Sequence, residues 1–200
     1  MAQSLTGKKV AILCTDGFEQ VEMTAPRKAL EEAGAATDLV CPKDDGKVRA
    51  WNYTEWGETF KVDVKLAEAD PEGYDAILMP GGVLNPDTLR INTQALDFVR
   101  AIFAAGKPCA AICHGPWTLI NAGLVRGREM TGWPSIRLDL QNAGARVVDR
   151  EVVVDNGLIT SRWPDDIPAF NRKMIEEFAE GLHPGQRDAA MPSAAAQRGS

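Results

Sequence analysis

The sequence predicts an α/β fold in which helices cover both faces of a mainly parallel sheet. Apolar segments of strand length alternate with segments of helical length, and glycine directly follows several of the helical segments. The strand segments are apolar at consecutive positions, as expected of strands buried on both faces. The 200 residues are enough for one domain of this class.

The elements follow one another in a regular order. The predicted strands are residues 10–14, 37–41, 74–79, 108–112, 146–148, 151–154 and 158–160. The predicted helices are residues 18–33, 93–105, 117–124, 134–143 and 167–179. Parallel sheets of this kind bind ligands beyond the carboxyl ends of their strands. The loops at 16–19 and 80–82 and the turn after residue 112 therefore form the candidate binding region.

Three segments depart from the alternation. Residues 43–66 are richer in Gly, Trp and charge, which predicts short antiparallel or edge strands. Asn156-Gly157 between two apolar runs predicts a tight hairpin turn. From His183 onward the chain has little to bury, which predicts one domain over 1–182 and a disordered tail over 183–200.

Charge and hydropathy argue against two classes of partner. The net charge is −6 and no basic stripe is present, so nucleic acid is not an expected partner. No apolar run approaches the ~20 residues that span a membrane. The segment 1–9 lacks the apolar stretch of a signal peptide. We therefore expect a cytoplasmic protein that binds neither nucleic acid nor a membrane.

Cysteine and histidine usage argues against a disulfide framework and against a metal. The four cysteines are irregularly spaced, with no Cys-x-x-Cys, and the only histidines are His114 and His183. So few cysteines and histidines, without regular spacing, make a zinc site unexpected. We therefore expect no metal and no cofactor.

Cys113 is the candidate nucleophile. It ends an apolar strand, precedes His114-Gly115-Pro116, and is followed by a helical stretch, as in a nucleophile elbow. A helix N-terminus favours negative charge, so we expect this thiol to ionise more readily than a free one. The alternative is a small core residue, which is the expectation for Cys14, Cys41 and Cys109.

Gly81 and Gly82 follow a strand directly and are candidate backbone donors. Paired glycines let N–H groups approach a reacting group closely. Together with the N–H of His114 they could form an oxyanion hole. The alternative is an ordinary turn.

Two carboxylates could serve the thiol and the imidazole. Glu19 could reach the sulfur of Cys113, or it could offset a helix dipole, a role that Glu22 could fill equally well. His114 could act as a base if its ring bends back beside the thiol and a carboxylate orients it. Asp87 is the candidate orienter, with a cap or turn as the alternative.

The five tryptophans are more often packing residues than ligand contacts. Trp133 is retained as a candidate pocket residue because it lies close in sequence to the elbow. Trp51, Trp56 and Trp163 are expected in the core or at an interface.

Taken together, these motifs resemble the PfpI (ThiJ/PfpI) family of the class I glutamine amidotransferase-like superfamily, from about Lys8 to about Gly181. The matching segments are residues 16–22, 79–82, 85–90, 111–116, 121–128 and 149–155. The resemblance implies a flavodoxin-like three-layer sandwich with a mainly parallel central sheet.

The resemblance also implies site roles. Cys113 would be the nucleophile, with His114 beside it, Glu19 on the thiol, and the N–H groups of Gly82 and His114 on the oxyanion. Asp87 occupies the position from which a neighbouring subunit can complete the triad, where relatives often carry Glu. Trp133 stands where some relatives carry tyrosine.

Two functions follow. The first is a stress-protective enzyme: a peptidase-like hydrolase, or a glyoxalase or protein deglycase acting on methylglyoxal-type carbonyls. Its partners would be a small carbonyl compound, a peptide or a glycated protein, and a second copy in a dimer or higher oligomer. The alternative is a redox sensor or holding chaperone that uses an oxidisable Cys113. His114 directly after the cysteine favours the enzyme, because sensing needs no base.

Overall fold

The computed structural model describes residues 4–186 and confirms the predicted α/β class. The strands are β1 (Lys9–Leu13), β2 (Ala36–Cys41), β3 (Lys47–Asn52), β4 (Glu55–Lys61), β5 (Val64–Lys65), β6 (Ala76–Met79), β7 (Cys109–Ile112), β8 (Glu129–Met130), β9 (Arg146–Val147), β10 (Val152–Asp155) and β11 (Leu158–Ser161). The α-helices are α1 (Gln20–Glu32), α2 (Leu84–Leu89), α3 (Thr93–Ala104), α4 (Pro116–Ala122), α5 (Arg137–Asn142) and α6 (Ile167–Glu180).

The main sheet has seven strands in the order β10-β11-β7-β6-β1-β2-β5. All neighbouring pairs are parallel except β10 and β11, which are antiparallel. The turn between these two strands places Asn156 at φ 44° and Gly157 at φ 78°, which confirms the predicted tight hairpin.

The register of β6 and β7 brings two of the predicted loops together. Met79 pairs with Ala111, so both strands end at the same edge of the sheet. The loop Pro80-Gly81-Gly82 and the turn at Cys113 therefore begin side by side.

Two hydrophobic cores lie on opposite faces of the sheet, as a three-layer sandwich requires. Side chains of β7 alternate between them, with Cys109 and Ala111 in one core and Ala110 and Ile112 in the other. The first core contains buried side chains of α3, α4 and α5, and the second those of α1 and α6. This arrangement confirms the predicted layers.

The segment 43–66 divides in two. β3 and β4 pair as an antiparallel sheet of their own, and β5 joins the edge of the main sheet beside β2. The predicted antiparallel and edge strands are both present.

Two local features differ from the sequence interpretation. α2 includes Asp87, for which a cap or turn was the alternative; Pro86 is tolerated there because the first helical turn needs no N–H from it. The predicted helix over 134–143 is a 3₁₀ turn (Pro134–Ile136) followed by α5.

The domain boundary predicted at residue 183 is too early. The His183 N–H donates to Gly106 O at 2.7 Å, and the Gln186 side chain is fully buried and donates to Lys107 O. Residues 183–186 therefore pack on the domain, because the His183 N–H and the Gln186 side chain both donate to backbone carbonyls. The remainder of the predicted tail, 187–200, lies outside the described residues. No helix within 4–186 is both long and apolar enough to cross a membrane.

Candidate active site

Cys113 lies on a sharp turn between β7 and α4. Its φ of 62° is in the left-handed region, which non-glycine residues seldom occupy. Two backbone hydrogen bonds hold this conformation: Cys113 N–H donates to Ser161 O at 3.1 Å, and Trp133 N–H donates to Cys113 O at 2.9 Å. Pro116 begins α4, where its fixed φ suits the first turn. The thiol thus projects at the carboxyl edge of the sheet.

Glycine is required at both positions of the adjacent loop. A Cβ on Gly81 would lie 2.7 Å from Cys113 Cβ, and Gly82 has a φ of 74°. The N–H groups of Gly82 and His114 approach the sulfur and act to lower the pKa of the Cys113 thiol. The Gly81 N–H donates instead to Glu22 Oε2 at 2.9 Å. Of the three candidate oxyanion donors, two therefore face the thiol.

Asn85 fixes this loop from beneath. It is fully buried, and its amide nitrogen donates to Pro80 O at 2.9 Å and to Gly81 O at 3.2 Å. Its amide oxygen accepts the Thr15 N–H at 2.8 Å. One side chain thus joins the loops after β1 and β6.

Glu22 contacts the thiol in place of Glu19, which corrects the prediction made from the sequence. The Glu22 carboxyl is fully buried and hydrogen-bonds with the Cys113 thiol. Glu19, three residues earlier, precedes α1, and its carboxylate accepts the Tyr53 N–H at 3.3 Å. Glu19 still lines the same cavity. The position of Glu22 in the first turn of α1 directs it at the sulfur.

Burial controls the protonation of the pair. It raises the pKa of Glu22 to about 8, so this carboxyl is mostly protonated at neutral pH and can donate to the sulfur. Burial also raises the pKa of the Cys113 thiol, and an ionised Glu22 would raise it further. Desolvation thus opposes the low thiol pKa that the sequence pattern predicts, and burial of this kind cannot be read from that pattern.

His114 is placed as a neutral base. Its Nδ1 lies 3.2 Å from Cys113 Sγ, and its Nε2 lies 3.3 Å from Ser135 Oγ. Burial lowers the pKa of His114 to about 4, so the ring is uncharged at neutral pH and is a weak base within the single chain.

Asp87 does not reach His114 within one chain. It is exposed on α2, and Ser135 occupies the position beside Nε2. Its predicted role as the orienting carboxylate therefore requires a second chain.

A cavity of about 200 Å³ opens over the thiol. Trp133 lines it and stacks on the His114 ring, with ring centroids 5.6 Å apart. Trp51, which was expected in the core or at an interface, lines the cavity too, as do Tyr53 and Pro164. No local pattern in the sequence marks Ser135 or Pro164, because each lies in a short 3₁₀ turn whose approach to the site depends on tertiary packing.

The donors at the thiol do not form a metal centre. Within residues 4–186, the one group of three or more His, Cys, Asp or Glu side chains close enough to share an ion is Glu177, Glu180 and His183. His183 packs beside Gly106 and Gly157, which precede β7 and β11. This group therefore lies at the amino ends of these strands, whereas Cys113 follows the carboxyl end of β7.

Comparison with known proteins agrees with the fold. Residues 8–177 match the model of the DJ-1/PfpI family. The chain is 45% identical over 172 residues to the Bacillus subtilis protein named "Putative cysteine protease YraA", covering 84% of this chain and 96% of that protein. It is 46% identical over 171 residues to General stress protein 18 of the same species, covering 84% and 96%.

A solved structure with TM-score 0.81 and 31% identity is a two-domain protein of Anabaena variabilis with DJ-1/ThiJ/PfpI-like and ferritin-like domains. The match covers 94% of this chain and 56% of that longer one. The family model matches most of the chain, and the relatives match at nearly full length. The resemblance drawn from the motifs is thereby confirmed, and the chain belongs to the DJ-1/PfpI family.

Proposed function

We propose that this protein is a stress-protective, cysteine-dependent enzyme acting on carbonyl carbon, with Cys113 as the nucleophile. The observation that carries the proposal is the convergence on one sulfur of a neutral base, His114 Nδ1 at 3.2 Å, and two backbone N–H donors. The names of two relatives, one for a cysteine protease and one for a general stress protein, support it.

The geometry supports a definite first step. The Cys113 sulfur bonds to the carbonyl carbon while the thiol proton passes to His114 Nδ1, and the carbonyl electron pair moves to oxygen. The N–H groups of Gly82 and His114 then hold the oxyanion. With a peptide, the C–N bond breaks as His114 returns the proton to nitrogen, and water hydrolyses the thioester.

A methylglyoxal-type aldehyde would follow the same beginning. Addition of the sulfur gives a hemithioacetal, whose carbon loses a proton as the neighbouring carbonyl carbon gains one through an enediol. The product is a thioester of a hydroxy acid, which water hydrolyses to regenerate the thiol. His114 and the protonated Glu22 are the groups placed to move these protons.

The cavity favours the smaller, uncharged substrates. It is about 200 Å³ in volume, and neither Lys nor Arg is among its described lining residues. A carboxylate substrate would therefore meet no cation and would approach Glu19. We propose a small neutral carbonyl compound as the substrate best suited to this site, ahead of an extended peptide or a glycated protein.

We further propose that the working unit is a homodimer or larger homo-oligomer in which Asp87 of one chain orients His114 of another. Asp87 is exposed, and Val83 and Leu84 beside it are about half exposed, at 52% and 50%. Exposed apolar side chains flanking a carboxylate are suited to an interface. A carboxylate at Nε2 would raise the pKa of His114 and strengthen it as a base.

Turnover of methylglyoxal by the purified chain tests the enzyme proposal. We expect Cys113→Ser to abolish turnover and Cys41→Ser, at a buried cysteine away from the cavity, to retain it. A peptide substrate assayed in parallel separates glyoxalase from peptidase activity. Equal turnover by the Cys113→Ser protein would refute a nucleophilic role.

A redox function is the second candidate. The donors that would hold an oxyanion, with the protonated Glu22, would equally hold the oxygens of a sulfinate on Cys113. Mass spectrometry after peroxide treatment checks this, and prevention of client aggregation by the oxidised protein checks a holding role. A sensor would show oxidation of Cys113 without turnover.

We also propose a cytoplasmic location. All four cysteines are unpaired, as is usual where thiols are kept reduced. Cell fractionation would test this.

A further inference from the structure

We propose that Glu177, Glu180 and His183 form a binding site for a divalent transition-metal ion, with Zn²⁺ the best fit. One potential ligand atom from each residue lies within 4.8 Å of the others. The site is independent of the proposed enzyme function, because it lies at the opposite edge of the sheet from Cys113.

The backbone holds the three side chains in place. Glu177 and Glu180 are three residues apart near the end of α6 and share one face of it. Gly181, with a φ of 86°, ends the helix and turns the chain back. His183 is then fixed by its N–H bond to Gly106 O and by packing of its ring against Gly157, where a Cβ would lie 2.6 Å from the ring.

The Glu177 carboxylate is largely buried beside a distant partner. The residue is only 8% exposed, and its ion pair with His183 is long, with Nε2 3.6 Å from Oε2, beyond hydrogen-bond range. Burial disfavours the carboxylate charge, and a Glu180 oxygen within 4.8 Å adds repulsion. A bound cation would relieve both penalties.

The spacing and ligand types suit zinc. Two ligands at ~2.1 Å from a tetrahedral Zn²⁺ lie roughly 3.4 Å apart, close to the present Glu177–His183 separation. Imidazole with two carboxylates favours a transition ion over Mg²⁺ or Ca²⁺, which prefer oxygen alone. Glu180 is exposed, so an ion can enter from solvent, and a water would complete the fourth position.

Counting cysteines and histidines missed this group, because two of its three ligands are glutamates and His183 falls in the segment expected to be disordered. A bound ion would join the segment after α6 to the helix and, through His183, to the β10–β11 hairpin. The competing interpretation is a Glu177–His183 ion pair with no metal, in which the imidazolium alone offsets the carboxylate.

Zinc titration of the tag-free, chelator-treated full chain distinguishes the two. A Cys113→Ser background removes the reactive thiol as a competing ligand. We expect one Zn²⁺ per chain by native mass spectrometry and a melting temperature that rises with Zn²⁺ concentration. Glu177→Gln and His183→Gln should each weaken binding by about tenfold or more. Glu176→Gln, one position away on α6 and paired with Lys173, is the matched control and should bind normally.

Co²⁺ reports the ligand type directly. A d–d spectrum without a thiolate charge-transfer band supports the proposed set, whereas such a band would assign the ion to a cysteine and overturn it. Binding unchanged in both the Glu177→Gln and His183→Gln proteins, or absent from the parent, would also overturn it. Melting in chelator shows whether these variants fold; if His183→Gln does not, Glu177→Gln, which preserves side-chain size, decides. Tighter binding of Ca²⁺ than of Zn²⁺ would refute the transition-metal assignment.

Discussion

At the scale of single residues, Glu22 controls the proton beside Cys113. Its carboxyl is fully buried, hydrogen-bonds with the thiol and accepts the Gly81 N–H at 2.9 Å. Because burial raises its pKa to about 8, it serves at neutral pH as a donor and not as a charge. A protonated Glu22 therefore favours the thiolate that an ionised one would oppose.

Substitution of Glu22 should lower the pKa of the Cys113 thiol. Because that thiol titrates above the pKa of Glu22, Glu22 is ionised when the thiol loses its proton, and its charge opposes that loss. Glu22→Leu removes the charge, so the pKa of Cys113 should fall by about one unit, equivalent to about 1.4 kcal/mol. Glu22→Gln removes the same charge, keeps a neutral donor and should lower the thiol pKa at least as far. The pH dependence of iodoacetamide labelling, with the product site mapped by mass spectrometry, measures the shift. A higher thiol pKa in Glu22→Leu would mean that Glu22 stays protonated while the thiol ionises.

A local sequence pattern does not decide which of two nearby carboxylates contacts the thiol, as the correction from Glu19 to Glu22 shows. Both carboxylates lie near the start of one helix, and the sequence allowed either to offset its dipole. The choice depends on the exact first residue of α1 and on the path of the loop after β6. Both are set by tertiary contacts, among them those of Asn85. The type of residue could be predicted, but its position could not.

Asn85 should be costly to remove. Asn85→Ala leaves the buried Thr15 N–H and the carbonyls of Pro80 and Gly81 without their partner, so we expect a loss of about 2–4 kcal/mol in unfolding free energy. Thr88→Ala, at an exposed position of the same helix, should change it by less than about 0.5 kcal/mol. Urea denaturation checks both, and equal effects would show that Asn85 is not structural.

At the scale of elements, the β3–β4 hairpin forms one wall of the cavity. Trp51 N–H donates to Phe18 O at 2.7 Å, which ties the hairpin to the loop after β1. Its indole N–H donates to Tyr53 O at 2.8 Å, and both aromatic side chains reach the cavity. The composition of 43–66 predicted these strands. It could not show that they form a separate sheet over the site, because that depends on long-range packing.

Truncation of Trp51 in this wall should affect substrate binding more than the chemical step. For Trp51→Ala we expect KM for methylglyoxal to rise several-fold, by roughly 1 kcal/mol of lost contact, while kcat changes little. The matched control is Thr59→Ala, exposed on β4. Steady-state kinetics separate the two constants. A fall in kcat with KM unchanged would indicate that Trp51 positions the catalytic groups.

At the scale of the whole molecule, two buried groups should shape the pH dependence of stability. Between pH 4.5 and about 8 the folded state holds more protons at Glu22 than the unfolded state, so stability falls as pH rises. Between about 4 and 6.5 the unfolded state holds more protons at His114, so stability rises with pH. The two contributions nearly cancel below pH 6.5, and only that of Glu22 remains above it.

We therefore expect the Glu22 contribution to fall by about 1.6 kcal/mol from pH 6.5 to pH 8, where Glu22 in the folded state is half titrated. Subtracting the unfolding free energy of Glu22→Gln from that of wild type at each pH isolates it from other groups. A difference that is flat with pH would mean that Glu22 titrates near its ordinary pKa.

The sequence predicted the layers, the succession of strands and helices along the chain, and the sharp turn at Cys113. These features depend on local hydrophobic periodicity and on turn residues. It did not predict that burial would oppose thiol ionisation, nor that Ser135 and Pro164 would reach the site. Those features depend on which loops meet at the carboxyl edge of the sheet. Contacts between chains cannot be predicted from local patterns in one sequence, and the proposed role of Asp87 depends on such a contact.

Complementation between two inactive proteins tests the proposed shared site. If Asp87 orients His114 of another chain, Asp87→Ala should lower kcat by roughly tenfold to a hundredfold. The Cys113 thiol should remain reactive, because Glu22 and the N–H groups of Gly82 and His114 belong to its own chain. Thr88→Ala, the neighbouring exposed position on α2, is the control and should retain activity.

Mixing Cys113→Ser with Asp87→Ala should then restore activity. After full subunit exchange, half of the dimers pair one chain of each kind, and each such pair holds one complete site of two. The mixture should therefore reach about one quarter of wild-type activity. Exchange is verified first by native mass spectrometry of isotope-labelled chains. Verified exchange without recovery would place Asp87 outside a shared site, and a fully active monomer by light scattering would reject the shared site because no second chain would be present to supply the carboxylate.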